Sequence, residues 1–135
     1  MTRNEAREII MQILYELDAS KQIFSDSAVD IAGSLAADRL AGNHTDRGAM
    51  LLKEIILNLE EIDGLINRCG TGWKTSRMPK VDLAIMRLAI GEIIFQEDVP
   101  EAVAINEAIN LAGKYSTDKS AKFVHGLLGA VTKVI

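Results

Sequence analysis

Hydrophobic residues recur every three or four positions along most of this chain, and one stretch is apolar on nearly every side. In residues 81–95, VDLAIMRLAIGEIIF, the polar side chains are Asp82, Arg87 and Glu92. At about 3.6 residues per turn these three do not form one continuous polar face, so the pattern predicts a helix that is buried on most sides. A buried charge is costly without a partner, and we expect Arg87 and Glu92 to pair with backbone groups or neighbouring side chains.

Three other periodic segments precede this central helix. Residues 3–18 carry apolar side chains on one face, which predicts an amphipathic helix. The next segment has a face of small residues and ends at Gly42. A third apolar stripe, from Leu52 to Ile66, predicts a single helix of about twenty residues. Three helices with short links are typical of a small antiparallel bundle.

Residues 69–80, CGTGWKTSRMPK, interrupt the helical periodicity. Two glycines in this segment permit tight turns. Trp73 is the only tryptophan, and we expect it to anchor the segment in the core; stacking on a nucleobase is the alternative. The segment is predicted to connect an N-terminal helical lobe at 1–68 to a C-terminal lobe at 81–135.

Two more amphipathic segments follow the central helix. Pro100 and Glu101 suit the start of the first, and the apolar stripe of the last begins at Phe123. Gly126 lies inside that last helix at a cost of about 1 kcal/mol against alanine, which favours a close helix contact there. With two prolines and no long alternating run, the chain is predicted to be all-α, with six or seven helices in two small packed bundles.

The charges are distributed unevenly along the chain. The net charge is −4, from 15 basic and 19 acidic residues, which argues against a general nucleic-acid binder. Residues 64–81 carry four basic side chains and no acidic one, and residues 113–135 carry four lysines and one aspartate. If these two basic segments meet in space, they form a local anion site. Solubilising surface charge explains the same pattern equally well.

The sequence contains no recognisable catalytic or metal-binding set. His44 and His125 lack ligand partners at useful spacing, no glycine-rich phosphate loop occurs, and Cys69 has no base near it in sequence. One cysteine excludes an intramolecular disulfide and fits a reducing cytosol. Neither a signal peptide nor a membrane-spanning stretch is visible. We therefore expect a cytoplasmic binding protein without cofactor, metal or catalytic activity.

Several short motifs occur in order over about half of the chain. They are Trp73 and Arg77, then AIMRLAIGEI, VPEAVAINEAINLA and KFVHG. In this order and spacing they resemble the NusB family of bacterial transcription antitermination factors, and the N-terminal AREIIMQILYELD fits the same family more loosely. Each motif alone is weak, whereas the ordered set is specific.

The resemblance implies an all-α protein whose two helical lobes pack across each other. It implies binding of the boxA element in ribosomal RNA leaders, as a heterodimer with the small-subunit ribosomal protein NusE. It also implies that this complex joins RNA polymerase and suppresses termination, without catalysis. RNA is then expected on the N-terminal helix and on the turn before the last helix. The candidate RNA-binding residues are Arg3, Arg7, Lys114, Tyr115, Ser116, Thr117 and Lys119, with Lys74 and Arg77 as an extension of the same surface.

Two features depart from the family pattern. The first helix of the family often begins with a cluster of arginines, and here only Arg3 and Arg7 occupy that region. This predicts weaker RNA binding or a shift to other basic residues, and ordinary solvated charge is the alternative reading of both arginines. His125 stands where the family usually has asparagine. Because neutral histidine can donate and accept one hydrogen bond each, we expect a structural consequence.

Alternatives to a free-standing RNA-binding subunit are open at this point. A helical adaptor that binds proteins and has lost RNA contact fits the net charge and the thinned arginines. Asp82 and Tyr15 are the candidates for contact with a basic partner such as NusE. The same module also occurs fused to ribosomal RNA cytosine methyltransferases, but we expect this chain to be too short for that catalytic domain. Members of the family occur as monomers and as homodimers, so the sequence leaves a homodimer open.

Overall fold

The computed structural model describes all residues from Met1 to Ile135 and consists of helices, turns and short connections. The all-α prediction, with six or seven helices, is confirmed. In chain order the elements are α1 (Arg3–Ala19), α2 (Ala28–Arg39), α3 (Asn43–Leu57), α4 (Leu59–Cys69), a 3₁₀ turn (Thr75–Arg77), α5 (Lys80–Phe95), α6 (Glu101–Tyr115) and α7 (Asp118–Thr132).

Helix α5 lies at the centre of the structure, as its apolar pattern predicts. Every residue from Asp82 to Glu92 is buried, and α5 packs against α1, α3, α4, α6 and α7. One continuous core of 31 buried residues contains side chains from all seven α-helices. The division of the chain into lobes at 1–68 and 81–135 stays a prediction.

The charged residues of α5 pair with side chains of other helices rather than with backbone groups. Arg87 donates to both carboxylate oxygens of Asp63 at 2.9 and 2.7 Å and to Asp18 at 3.2 Å. Glu92 accepts two hydrogen bonds from Arg7 of α1, both at 2.8 Å. The helical backbone groups are already bonded to one another, so these buried charges need partners from α1 and α4.

Helix α5 approaches α3 closely at Gly91. A Cβ atom at this position would overlap the side chain of Ile55, so a larger residue would force the two helices apart. The close contact expected at Gly126 is wrong. Gly126 is exposed on α7, and nothing lies within 4 Å of the place its Cβ would take.

The predicted single helix from Leu52 to Ile66 is two helices in the structure. Helices α3 and α4 are separated at Asn58, whose φ and ψ of −116° and 23° leave the helical region. The Asn58 side-chain amide donates to the carbonyl of Glu54 at 2.8 Å. Asparagine side chains compete in this way for backbone groups, which explains why the apolar stripe continues while the helix breaks.

Candidate nucleic-acid interface

The two basic segments of the chain meet at one edge of the protein. The 3₁₀ turn and the start of α7 line a cavity of about 330 Å³, which we call the Trp73 cavity. The side chains that matter here are Trp73, Arg77, Asp82, Lys119, Ser120 and Phe123. The local anion site predicted from the charge pattern therefore has a geometric basis.

Three basic residues at this edge are exposed and form no ion pair: Lys74, Arg77 and Lys119. Cations of this kind can each neutralise a phosphate and release a bound counterion. Most other basic side chains near α1 are already paired with carboxylates. Helix α1 therefore presents no arginine without a carboxylate partner, whereas Arg77 and Lys119 line the Trp73 cavity without one.

A chain of hydroxyl groups positions the start of α7. Thr117 is the N-cap residue, and its Oγ1 accepts a hydrogen bond from the backbone N–H of Ser120 at 3.0 Å. The hydroxyls of Ser116 and Thr117 donate to Ser120 Oγ at 2.9 and 3.2 Å. Ser120 in turn donates to Asp82 Oδ2 at 2.9 Å. Ser116 and Thr117 therefore support the cavity wall through Ser120.

Asp82 lies below the surface, in the first turn of α5. Its residue is only 3% exposed, and its Oδ1 has no hydrogen-bond partner. The helix N-terminus favours a negative charge at this position. From the sequence, Asp82 is a candidate for contact with a basic partner, which requires an exposed carboxylate. The structure corrects that expectation, because Asp82 is buried against Ser120 of α7 and is part of the lining of the Trp73 cavity.

Trp73 does not anchor its segment in the core, so that prediction is wrong. The residue is 53% exposed and meets Phe123 edge to face, with ring centroids 6.3 Å apart and an interplanar angle of 64°. Met78 is the buried hydrophobic side chain of this segment and joins the core in place of Trp73. The tryptophan ring is therefore available at the cavity mouth, as the stacking alternative requires.

Lys114 and Tyr115, at the end of α6, lie beside α1. The Lys114 ammonium is 2.9 Å from Glu8 Oε1 and 5.4 Å from the centroid of the Tyr115 ring. The Tyr115 hydroxyl donates to Glu8 and accepts from Gln12 Nε2 at 3.2 Å. The proximity of Lys114 and Tyr115 to α1 agrees with the expectation that the N-terminal helix and the turn before the last helix form one surface. Glu8 nevertheless offsets the charge of Lys114, which weakens its attraction for phosphate.

Arg3 is exposed but shares a carboxylate with a second arginine. Its Nη2 is 2.8 Å from Asp98 Oδ2, and Arg47 contacts the two oxygens of Asp98 at 2.8 and 3.0 Å. Hydrogen bonds and charge from Arg47, and then from Arg3, hold the pKa of Asp98 below its usual 3.8. The cluster carries one net positive charge.

Arg7 does not lie on an RNA-accessible or solvated surface. Its guanidinium is buried, with Nε and Nη2 on the carboxylate of Glu92 and Nη1 donating to Asn4 at 2.9 Å. The hydrogen bond to Glu92 raises the pKa of Arg7. The correction has a clear cause, since the buried carboxylate in α5 requires a cation from α1.

Two other predicted residues lie away from these contacts. Tyr15 is exposed on α1 and makes no side-chain hydrogen bond, so it stays a candidate for partner binding. His125 is exposed on α7 and has no hydrogen-bond partner. The structural role expected for His125 stays a prediction.

Sequence reasoning missed Ser120 and Phe123 as parts of the site. The signal available was the Thr117-to-Ser120 spacing, which is that of a side-chain cap at a helix start. Nothing in the sequence indicates that this cap reaches Asp82, which lies 38 residues earlier.

Two further observations concern the whole chain. None of its helices combines the length and hydrophobicity needed to cross a membrane. Nowhere do three or more histidine, cysteine, aspartate or glutamate side chains gather so that they could hold a metal ion.

A central buried helix wrapped by others, with free cations lining a solvent-open cavity, defines an all-helical protein with a candidate nucleic-acid-binding surface. The model of the NusB family matches residues 4–133, and the chain belongs to that family. The protein is similar to transcription antitermination protein NusB of Acetivibrio thermocellus, with 42% identity over 99% of this chain and 90% of the relative. The corresponding protein of Agathobacter rectalis is 43% identical over 95% of this chain and 97% of the relative.

Solved structures agree with this assignment of the fold. NusB from T. maritima superposes with a TM-score of 0.87 and 28% identity, over 98% of this chain and 92% of that one. A crystal structure of antitermination factors NusB and NusE in complex with dsRNA gives a TM-score of 0.82 and 22% identity, over 98% and 97%. At that identity the second structure supports the fold alone.

Proposed function

We propose that this protein is a cytoplasmic, non-catalytic subunit that binds boxA-type single-stranded RNA of ribosomal RNA leaders together with NusE. Bound in this way, it helps RNA polymerase to read through terminators. The observation that carries the proposal is that two unpaired cations, Arg77 and Lys119, line one cavity, with the unpaired Lys74 next to Trp73 in the chain. An exposed aromatic ring beside free cations is the combination that single-stranded nucleic acid binders use.

The RNA surface proposed here is narrower than the one predicted from sequence. Lys74, Arg77 and Lys119 supply the main phosphate contacts, and Ser116 and Thr117 lie beside them. Lys114, Tyr115 and Arg3 extend the surface toward α1, where Glu8 and Asp98 reduce its charge. Arg7 contributes by holding α1 on α5. Tyr15 remains the candidate for contact with NusE.

NusE is expected to supply the attraction that this protein lacks. The chain has a net charge of −4, so its long-range attraction for RNA is poor. A basic ribosomal protein bound beside the cavity adds phosphate contacts of its own. NusE is therefore expected to raise the affinity for boxA RNA by at least about tenfold, or ~1.4 kcal/mol.

The test is a fluorescence-anisotropy titration of labelled boxA RNA with this protein, with NusE, and with both at equal concentration. A scrambled RNA of the same length is the control for non-specific charge. Binding that is tighter for boxA than for the scrambled RNA, and tightest with both proteins, supports the proposal. A complex with NusE that leaves RNA affinity at the level of NusE alone would favour the adaptor alternative.

A further inference from the structure

The face formed by α2, α3 and α4 exposes a series of large apolar side chains. Two open cavities, of about 720 and 840 Å³, lie on this face and share Val29 of α2. Phe24, Leu57 and Met50 line them and are 72%, 64% and 56% exposed. We call this joined depression the α2 groove; it shares no lining residue with the Trp73 cavity. Contiguous exposed apolar side chains mark an interaction site, whereas isolated ones do not.

The pattern of α3 supports this reading of the α2 groove. Helix α3 turns a stripe of exposed residues to solvent at helical spacing: Asp46, Met50, Lys53 and Leu57. A surface helix of this length normally carries polar residues along such a stripe. Half of this stripe is apolar, and no other part of the chain covers it.

The charged residues around the α2 groove are mostly acidic. Four carboxylates of the lining are exposed and form no ion pair: Asp26, Asp30, Asp46 and Glu60. Lys53 is the only basic residue of the lining. Carboxylates around an apolar centre favour a partner of positive charge and speed its association.

We propose that the α2 groove docks a basic amphipathic helix of a protein partner other than NusE. Apolar side chains of that helix pack on Phe24, Met50 and Leu57, and its lysine and arginine side chains pair with the four carboxylates. The groove follows α2, whose 12 residues span about 18 Å, so about three turns of the partner helix are in contact. An all-α surface has no sheet edge to which an extended peptide could add, which leaves the helix-in-groove mode of recognition.

A second copy of this chain is the first competing occupant. A two-fold contact uses the same patch on both subunits, so it would oppose the four carboxylates with the same four. Nucleic acid is repelled by the same charges. NusE is expected to be basic, but Tyr15, its candidate contact, lies outside the groove lining. The charge and the position of the α2 groove therefore favour a further basic partner.

The test uses a synthetic peptide of about 18 residues, long enough to form a helix, with leucines along one face and lysines elsewhere. Two control peptides have the same composition in scrambled order, or glutamates in place of the lysines. The amphipathic basic peptide is expected to bind the full chain at least about tenfold more tightly than either control. Chemical-shift changes of the backbone amides are expected on α2 and α3. Equal binding of the scrambled peptide, or shifts confined to another face, would overturn the proposal.

Leu57→Ser removes one apolar contact without opening the core, because Leu57 is exposed. Its affinity for the basic peptide is expected to fall by about tenfold, as for an interface anchor. Val103→Ser is the matched control, since Val103 is an apolar side chain of α6 that is 41% exposed and lies outside the groove. Equal losses in the two variants would place the peptide elsewhere.

Asp26→Lys tests the charge of the α2 groove independently of its apolar contacts. Asp26 lies in the turn before α2, so the substitution leaves the helices intact, and the affinity for the basic peptide is expected to fall. Glu97→Lys makes the same charge change at an exposed turn outside the groove and is the control. An equal effect of both variants would show that only the net charge of the protein matters.

Two measurements separate the other occupants. If the peptide displaces NusE, or if Leu57→Ser weakens binding to NusE, the groove is the NusE site and the assignment to a further partner is wrong. A dimer in analytical ultracentrifugation that Leu57→Ser dissociates would make a second copy the occupant. Leu57→Ser is expected to bind boxA RNA and NusE as the wild type does, so the proposed function is tested separately from the groove.

Discussion

Arg7 of α1 and Glu92 of α5 form a buried, two-point ion pair, with Nε–Oε1 and Nη2–Oε2 both at 2.8 Å. The pair joins two residues that are 85 positions apart in the sequence. It fixes the N-terminal helix against the central helix and therefore positions the surface formed by α1 and the end of α6.

Breaking this pair is expected to destabilise the fold strongly. Arg7→Ala leaves Glu92 buried without a cation, which costs about 3–5 kcal/mol. The matched control is Arg39→Ala, which removes an exposed arginine that pairs with Glu16. Loss of such a surface pair costs about 0–1 kcal/mol. Urea unfolding followed by circular dichroism measures both values. Equal losses in the two variants would show that the burial of Arg7 carries no energetic weight.

The central helix shows which features of the fold could be predicted from the sequence and which could not. The apolar stretch around Leu88 predicts a buried helix, because periodicity reports burial directly. The partners of Arg87 could not be predicted, since Asp18 and Asp63 lie 69 and 24 residues away and only the fold brings them together.

The candidate site could also be predicted only in part from the sequence. Its basic segments are visible in the sequence, and so is the serine- and threonine-rich turn before α7. The burial of Asp82 and the exposure of Trp73 depend on how residues 69–80 pack in the folded protein, with Met78 rather than Trp73 entering the core. Side-chain type alone predicts the reverse for both residues, because carboxylates are usually exposed and tryptophan is usually buried.

Two glycine positions are expected to respond in opposite directions to substitution by alanine. Gly91→Ala places a methyl group against Ile55, and overpacking of this kind costs about 1–3 kcal/mol. Gly126→Ala fills open space on an exposed helix and is expected to stabilise α7 by up to about 1 kcal/mol. Thermal unfolding of both variants tests the pair. A stabilised Gly91→Ala protein would mean that α3 and α5 are not packed as closely as described.

The Asp98 cluster predicts a defined acid dependence of stability. The pKa of Asp98 is held below 3.8 in the folded protein by Arg47 and Arg3, so its ionised form favours folding. This contribution is complete above the unfolded pKa and is lost as the pH falls through the folded value.

Asp98→Asn removes that contribution and is therefore expected to lower the unfolding midpoint at about pH 6, with the deficit shrinking below about pH 3.8. Denaturant unfolding of both proteins at a series of pH values measures the deficit. Glu97→Gln is the control, because the neighbouring Glu97 is exposed and forms no ion pair. A deficit for Asp98→Asn that stays constant across this range would show that Arg3 and Arg47 do not stabilise the ionised carboxylate.

The free cations at the Trp73 cavity predict how RNA binding depends on salt. Each phosphate neutralised on a single strand contributes a slope of roughly −0.7 in log K against log[salt]. If Arg77 and Lys119 each hold one phosphate, the double variant Arg77→Ala/Lys119→Ala loses both contacts. Its slope for boxA RNA, measured with NusE present, is expected to be shallower by about 1.4. The affinity at low salt falls at the same time, while binding to NusE alone is unchanged.

Lys53→Ala is the matched control for this experiment. Lys53 is an exposed cation on α3 that forms no ion pair and lies outside the cavity lining. It shifts the net charge in the same direction as each cavity substitution, so a purely long-range effect would appear in it as well. An unchanged slope in the Arg77/Lys119 variant would place the phosphate contacts elsewhere on the protein. The next surface to test would then be the one formed by Arg3, Lys114 and Tyr115, where neighbouring carboxylates already reduce the attraction for RNA.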